Sequence, residues 1–328
     1  MNNENNINNK TNKSPFLYYN TAHLEPLLLS SYYAPRGRYR MYQLGTMISQ
    51  RYLNPNDLLI GIIGGEGSGK STLIKGLFPG LELTNDDEGV NLKTAPIYDF
   101  QPDNYFAPHT FHLDIRYELA FHQSFEIIDA INLAIENGRR VVIEHFDLIY
   151  DQLGYNAQII FAIGEELVVA RPTVFGPFPD EIKHHCDKTA PYRLMAHSAE
   201  DIASHILLED YNYKRQVLHS DVKHGFVIKF PDKPEISIPE LEAKIQDVIA
   251  KDWPIEFAGT NKITIGEWEI FCTGPRTHVK HTGQIQDFKL WHEYVYDPIW
   301  KEYMLIGMVG PDRNHLGIKG IHYFADEE

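Results

Sequence analysis

Leu58-Leu59-Ile60-Gly61-Ile62-Ile63-Gly64-Gly65-Glu66-Gly67-Ser68-Gly69-Lys70-Ser71-Thr72 joins an unbroken apolar run to a glycine-rich loop. The run lies between Asp57 and Gly64 and has the pattern of a strand buried on both faces, as in a parallel sheet. From Gly64 to Ser71 the chain fits G-x4-G-K-S once. Glycines let such a loop turn its backbone N–H groups toward one centre, and a helix starting at Ser71 adds its positive end. Gly64, Gly65, Glu66, Gly67, Ser68, Gly69, Lys70, Ser71 and Thr72 are therefore the expected phosphate-binding residues. Lys70 reaches the β- and γ-phosphates and the Ser71 hydroxyl takes one position on Mg²⁺. The expected cofactor is ATP or GTP with Mg²⁺.

On the C-terminal side, the helix from Ser71 stops at Pro79-Gly80, and Leu81 to Thr84 reads as a second strand ending at Asn85-Asp86-Asp87. Between Arg116 and Asn137, Phe121, Phe125, Ile128 and Ile135 recur at helical spacing, and Gly138 suits the C-cap. Val141-Val142-Ile143, Ile159 to Ile163 and Leu167 to Ala170 read as further buried strands. Alternating strands and helices predict an α/β domain with a mostly parallel sheet in three layers. On the N-terminal side, Met1 to Ser14 is dominated by asparagine and reads as a disordered leader. A tyrosine- and arginine-rich stretch, Tyr32 to Arg40, leads into a helix that ends before Asn54-Pro55.

The second half has a different rhythm. A helix is expected from Tyr192 to Leu208, a strand over Gly225 to Phe230, and a helix opened by Pro239 with Leu241, Ile245, Val248 and Ile249 on one face. Lys262 to Phe271 and Tyr303 to Val309 are β-rich. This is an α+β pattern, with a boundary near Phe178 to Pro191. The expected organisation is a leader over 1–14, a nucleotide-binding domain over 15–185 and a second domain over 186–328.

The 328 residues suffice for two cores, and 43% hydrophobic with 23% charged residues describes a globular chain. A net charge of -15 opposes non-specific attraction to nucleic acid or anionic lipid. Two cysteines, Cys186 and Cys272, build no disulfide framework. The chain shows no apolar run of ~18 residues and no N-terminal apolar region, so a cytoplasmic protein without a membrane span is expected.

Acidic groups also stand at strand ends, where ligands of open α/β sheets gather. Glu144 directly follows the Val141–Ile143 run and is the first choice for a Mg²⁺ partner; Asp147 is second, and a solvated strand end is the plain alternative. The segment resembles the second acidic motif of P-loop kinases, and residues 58 to 175 resemble a nucleoside-kinase-like P-loop protein. The resemblance implies a water-mediated Mg²⁺ role for Glu144 and an acceptor-orienting role for Asp86 or Asp87, which otherwise read as a turn. It also implies an arginine-rich lid, for which only Arg171 and Arg193 offer themselves.

Thr277-His278-Val279-Lys280-His281-Thr282-Gly283-Gln284-Ile285-Gln286-Asp287-Phe288-Lys289 resembles the zinc-site segment of the second additional domain of alanyl- and threonyl-tRNA synthetases and of free-standing alanyl-tRNA editing proteins. Ala196-His197-Ser198-Ala199-Glu200-Asp201, the Ile238-Pro239-Glu240-Leu241 helix start and Leu316 to Ile321 follow in the family's order, so the likeness covers residues 190 to 323. It implies Zn²⁺ held by an H-x3-H helix and a later C-x3-H loop. His197 stands at the first ligand position, Asp201 at the second and His278 at the last. Gly274 occupies the third, with Cys272 two residues earlier as its substitute. The functional expectation is a phosphotransferase or NTPase acting on, or gated by, a small and amino-acid-like ligand. The alternatives are an aminoacyl-tRNA editing hydrolase with a regulatory P-loop, or a nucleotide-gated binding protein without chemistry. Transfer RNA is not an expected partner, because of the acidic charge and the altered ligand set.

Overall fold

A computed structural model describes residues 29–84, 94–104, 107–213 and 220–311. Asp86, Asp87, the leader and the Leu316–Ile321 stretch lie outside the described residues. In the N-terminal half the order is β1 (Leu29–Tyr33), α1 (Arg38–Tyr52), β2 (Leu59–Gly64), α2 (Lys70–Leu77), β3 (Thr110–Asp114), α3 (Ile115–Glu118), α4 (Ser124–Glu136), β4 (Arg140–Glu144), α5 (Tyr150–Leu153), β5 (Ile159–Ile163) and β6 (Glu166–Ala170). The six strands form one sheet in the order β1-β6-β5-β2-β4-β3. β2 runs parallel to both β4 and β5, and β3 parallel to β4, whereas β5–β6 is an antiparallel hairpin and β1 adds antiparallel at the edge.

All six residues of β2 are buried, because it lies inside the sheet with helices over both faces. Ile60 and Ile62 face Met41 and Ile48 of α1 and Leu73, Ile74 and Leu77 of α2. Leu59, Val141, Ile143 and Ile160 face the other way, toward Ile127 and Ile131 of α4. The period of two along each strand divides the apolar residues between these two cores.

Two sequence expectations are corrected here. Leu81 to Thr84 is not a strand; β3 holds the sheet edge, and the Thr84 backbone N–H donates to the His112 ring instead of to a ladder. The helix between Arg116 and Asn137 is broken, and its buried stripe is Ile127, Ile131 and Ala134. A capping box between Gln123 and Glu126 sets that phase and leaves Phe121 and Phe125 exposed at 64% and 62%.

α6 (Pro179–Tyr211) is a single helix of 33 residues with Pro191 inside it. Ile182 and Cys186 belong to the core of the α/β half, and Met195 through Leu207 to the core of the second half. The stretch expected to hold a boundary is thus the first part of this helix. Beyond it come β7 (Ser220–Val222), β8 (Gly225–Phe230), α7 (Ile238–Ala250), β9 (Ile255–Gly259), β10 (Lys262–Ile265), β11 (Trp268–Phe271), β12 (Lys289–Leu290), β13 (Val295–Asp297) and β14 (Glu302–Met308). They form two antiparallel sheets, β11-β10-β9 and β12-β14-β8-β7 with β13 against β14. α7 buries Leu241, Ile245 and Val248, as its periodicity predicts.

The helix that follows the glycine-rich loop is seated by close packing. A Cβ on Gly76 of α2 would lie 2.3 Å from the Tyr42 carbonyl oxygen of α1, and one on Gly45 would lie 2.7 Å from the Leu73 carbonyl oxygen. Gly76→Ala should therefore push α1 from α2 and destabilise the protein by about 1–3 kcal/mol, despite the better helix propensity of alanine. Urea denaturation compared with the parent checks this.

Candidate functional site

β2 ends in the loop from Gly64 to Gly69, and α2 begins at Lys70. Gly67 and Gly69 adopt positive φ, at 68° and 96°, as the tight turn requires. Lys70 Nζ donates to the Gly65 carbonyl at 2.9 Å and lies 3.9 Å from Glu144 Oε2. The parallel register pairs Ile62 with Glu144, so loop and carboxylate emerge from the same end of neighbouring strands. The Ser68 hydroxyl, in a residue only 7% exposed, has no hydrogen-bond partner among the described residues.

Glu144 is held from below by a residue absent from the sequence expectations. The Thr84 N–H donates to His112 Nδ1 at 3.1 Å, so Nε2 carries the ring proton and donates to Glu144 Oε1 at 3.1 Å. One carboxylate oxygen is thereby fixed and the other turned toward Lys70. Asp114, paired with Glu144 in the sheet register, adds a second acid at the strand ends. Ligand atoms of Asp114, Glu144 and His145 lie within 4.8 Å of one another, a grouping of hard oxygen donors with one imidazole. Asp147, the second choice from sequence, points elsewhere: its charged neighbours are Lys183, Asp187 and Asp180 of α6, and burial raises its carboxyl.

The second half closes over the loop. Arg193 donates through Nη1 to the Ser68 carbonyl at 2.8 Å and through Nη2 to the Pro35 carbonyl at 2.5 Å. Thr277 Oγ1 donates to the Gly67 carbonyl at 3.2 Å. A Cβ on Gly67 would fall 2.5 Å from the Arg276 carbonyl oxygen, so the loop and the 274–278 segment touch backbone to backbone. Arg171 is not at this site; it is bidentate to Asp57, at 2.8 Å to each oxygen.

Next to this contact, His197, Asp201, Cys272 and His278 bring their donor atoms within 4.8 Å of one another. Cys272 Sγ lies 3.5 Å from His197 Nε2 and 3.8 Å from His278 Nε2. Asp201 Oδ2 lies 3.1 Å from His278 Nε2 and 3.9 Å from His197 Nε2. A tetrahedral zinc centre with ordinary bond lengths spaces its donors roughly 3.3–3.7 Å apart, and the separations here, from 3.1 to 3.9 Å, lie within a few tenths of an ångström of that spacing. The surroundings suit it as well. His197 Nδ1 donates to the Thr277 carbonyl at 2.8 Å, which leaves Nε2 as the acceptor facing the cluster. Burial, helped by the neighbouring His278, lowers His197 to about 3, the uncharged form that ligates metals. The Gly274 N–H donates to Cys272 Sγ at 3.3 Å. Residue 274 itself has no room for a ligand, since its Cβ would lie 1.9 Å from the Arg36 carbonyl oxygen.

Two hollows flank the Pro275–Arg276 ridge. One, of about 400 Å³, runs from Ser71, Thr72 and Lys75 of α2 to Phe257 and Thr260. The other, of about 1060 Å³ and more open, is lined by Glu66, Met195, Val279 and His278, so the donor cluster borders it. No helix among the described residues is long and apolar enough to cross a membrane. No protein-family model and no curated protein sequence matches this chain.

His145, held at φ 58°, is lowered to about 4 by burial and by nearby Lys70. Its folded value lies below the unfolded value of roughly 6.5. The unfolded chain therefore takes the proton first, and stability falls as pH drops from about 6.5 toward 4, then levels. His145→Asn, which tolerates the left-handed backbone, should flatten that part of the pH–stability profile measured by urea midpoint.

Proposed function

We propose that this chain binds a nucleoside triphosphate with Mg²⁺ on its glycine-rich loop and cleaves the terminal phosphoryl bond, as a phosphotransferase or NTPase. The observation that supports this most is the convergence of Lys70 and Glu144 at the ends of adjacent parallel strands. A loop with an unpartnered buried hydroxyl, Ser68 Oγ, lies beside them. Loop N–H groups and the Lys70 ammonium bind the phosphates, and Ser71 and Glu144 are the oxygen donors that hold Mg²⁺. The ion, when bound, neutralises charge on the β- and γ-phosphates. His112 keeps Glu144 aimed at that point, and Arg193 and Thr277 brace the loop at the Ser68 and Gly67 carbonyls.

The second half fits a domain of the tRNA-synthetase second-additional type with Zn²⁺ held by His197, Asp201, Cys272 and His278. That reading rests on the sequence likeness and on the donor spacing. Held by four protein donors, the ion would form a closed centre and would supply folding energy. A small ligand in the groove beside His278 is then the acceptor or the gating molecule. One observation favours a second reading, hydrolysis of an aminoacyl ester with the loop as regulator: His278 is among the residues that line that groove. The acidic chain argues against transfer RNA as the carrier of such an ester.

Lys70→Ala should abolish ATP or GTP binding measured by calorimetry while leaving the circular dichroism spectrum unchanged; equal affinity in mutant and parent overturns the phosphate-loop reading. Glu144→Gln should lower turnover at least about a hundredfold with little loss of nucleotide affinity.

The purified chain should contain about one equivalent of Zn²⁺. Cys272→Ser and His278→Ala should each reduce metal content and melting temperature, read by elemental analysis and calorimetry. Release of amino acid from mischarged tRNA(Ala), lost on His278→Ala, would move the second reading to first place.

A further inference from the structure

We infer that the nucleoside end of the nucleotide lodges in the 400 Å³ hollow between the two halves, with Phe257 and Arg276 of the second half forming its wall. This rests on the nucleotide reading of the loop and extends it, since the second half becomes part of the nucleotide site.

The polarity of the loop sets where the nucleoside goes. Lys70 and Ser71 take the β- and γ-phosphates and the ion, on the side where Glu144 and Asp114 stand. The nucleoside must leave on the other side, past Thr72 and along the first turns of α2. The hollow starts there, lined by Gly69, Ser71, Thr72 and Lys75, and its volume lies within the usual range for small-molecule sites.

The chemistry of the lining agrees. Arg38, Lys75 and Arg276 line the hollow beside Arg36 and Arg193, the two arginines bonded within the seam, and among the described residues no carboxylate lines it, in a chain of net charge -15. The cations thus gather on the nucleoside and α-phosphate side, while the acids gather on the Mg²⁺ side. At the far end the Phe257 ring is 52% exposed, with the Arg276 guanidinium 5.1 Å from its centroid. An exposed ring paired with a guanidinium plane is a stacking platform for a base, tolerant of base identity. The turn that follows β9, the strand of Phe257, is pinned to the start of α1, because Arg38 donates to the Thr260 carbonyl and, at 3.0 Å, to Asn261 Oδ1.

Inorganic tripolyphosphate separates the two ends of the ligand. Calorimetric affinities for ATP, GTP and tripolyphosphate should be measured on the full chain with Mg²⁺, in the parent, Phe257→Ala and Arg276→Gln. Phe257 is exposed, so its replacement leaves the cores intact. The expected result is nucleotide binding weakened about tenfold or more in Phe257→Ala, with tripolyphosphate binding unchanged. Arg276→Gln should weaken nucleotide binding more than tripolyphosphate binding. Nucleotide affinity at the parent value in both variants, or equal weakening for tripolyphosphate, overturns the inference and leaves the loop reading standing. A parent that binds neither ATP, GTP nor tripolyphosphate removes the loop reading and this inference together.

Discussion

Two arginines buried in the seam between the halves dictate how the rest is arranged. Arg36 and Arg193 are 7% and 5% exposed, and a guanidinium withdrawn from water must find its hydrogen bonds inside the protein. Arg193 finds them on the Ser68 and Pro35 carbonyls, and Arg36 on the Gly225 carbonyl and the Glu200 carboxylate, 3.7 Å away. These partners come from both halves, so one docking geometry satisfies them. Leaving such a charge unpaired costs several kcal/mol. The same bonds fix the glycine-rich loop from outside its own domain.

The seam also sorts charge. Acids at the ends of β3 and β4 stand on one side of Lys70, and a lining of arginine and lysine stands on the other. The net charge of -15 gives no hint of this, because an average over the chain hides a local reversal of sign. The four-donor cluster sits beside the seam, and Thr277 belongs to both sites: its hydroxyl bonds Gly67 and its carbonyl holds His197.

The loop, the buried strand before it and the acid on β4 were legible in the sequence because each is local. An apolar run and a G-x4-G-K-S pattern need no knowledge of distant residues. Strand β3 was not legible: His112 interrupts its apolar pattern, and its reason for being there is Glu144, 32 residues away. The Phe121 and Phe125 stripe misled because exposed aromatic residues on either side of a helix start look like a core until that start is known. The stretch from Phe178 to Pro191 read as a domain boundary, with a helix only from Tyr192; α6 instead runs through Pro191, a residue that costs an interior hydrogen bond, with buried residues on both sides of it. Cys272 was named only as a substitute for the missing ligand at 274. That residue 274 has no space for a side chain, and that Cys272 Sγ lies 3.5 Å from His197 Nε2, is visible only in three dimensions.

The unbroken course of α6 has a consequence for how this chain can vary. Arg193, His197 and Asp201 follow at intervals of four, so the brace on the loop and two donors of the cluster share one helical face. A residue gained or lost between them would swing everything downstream by about 100° around the axis and move it by roughly 1.5 Å along it. Substitutions on the outer face of this stretch leave that spacing alone, but changes of length do not. Between residues 193 and 201 the helix acts as a ruler, and its graduations set the distance between the two sites.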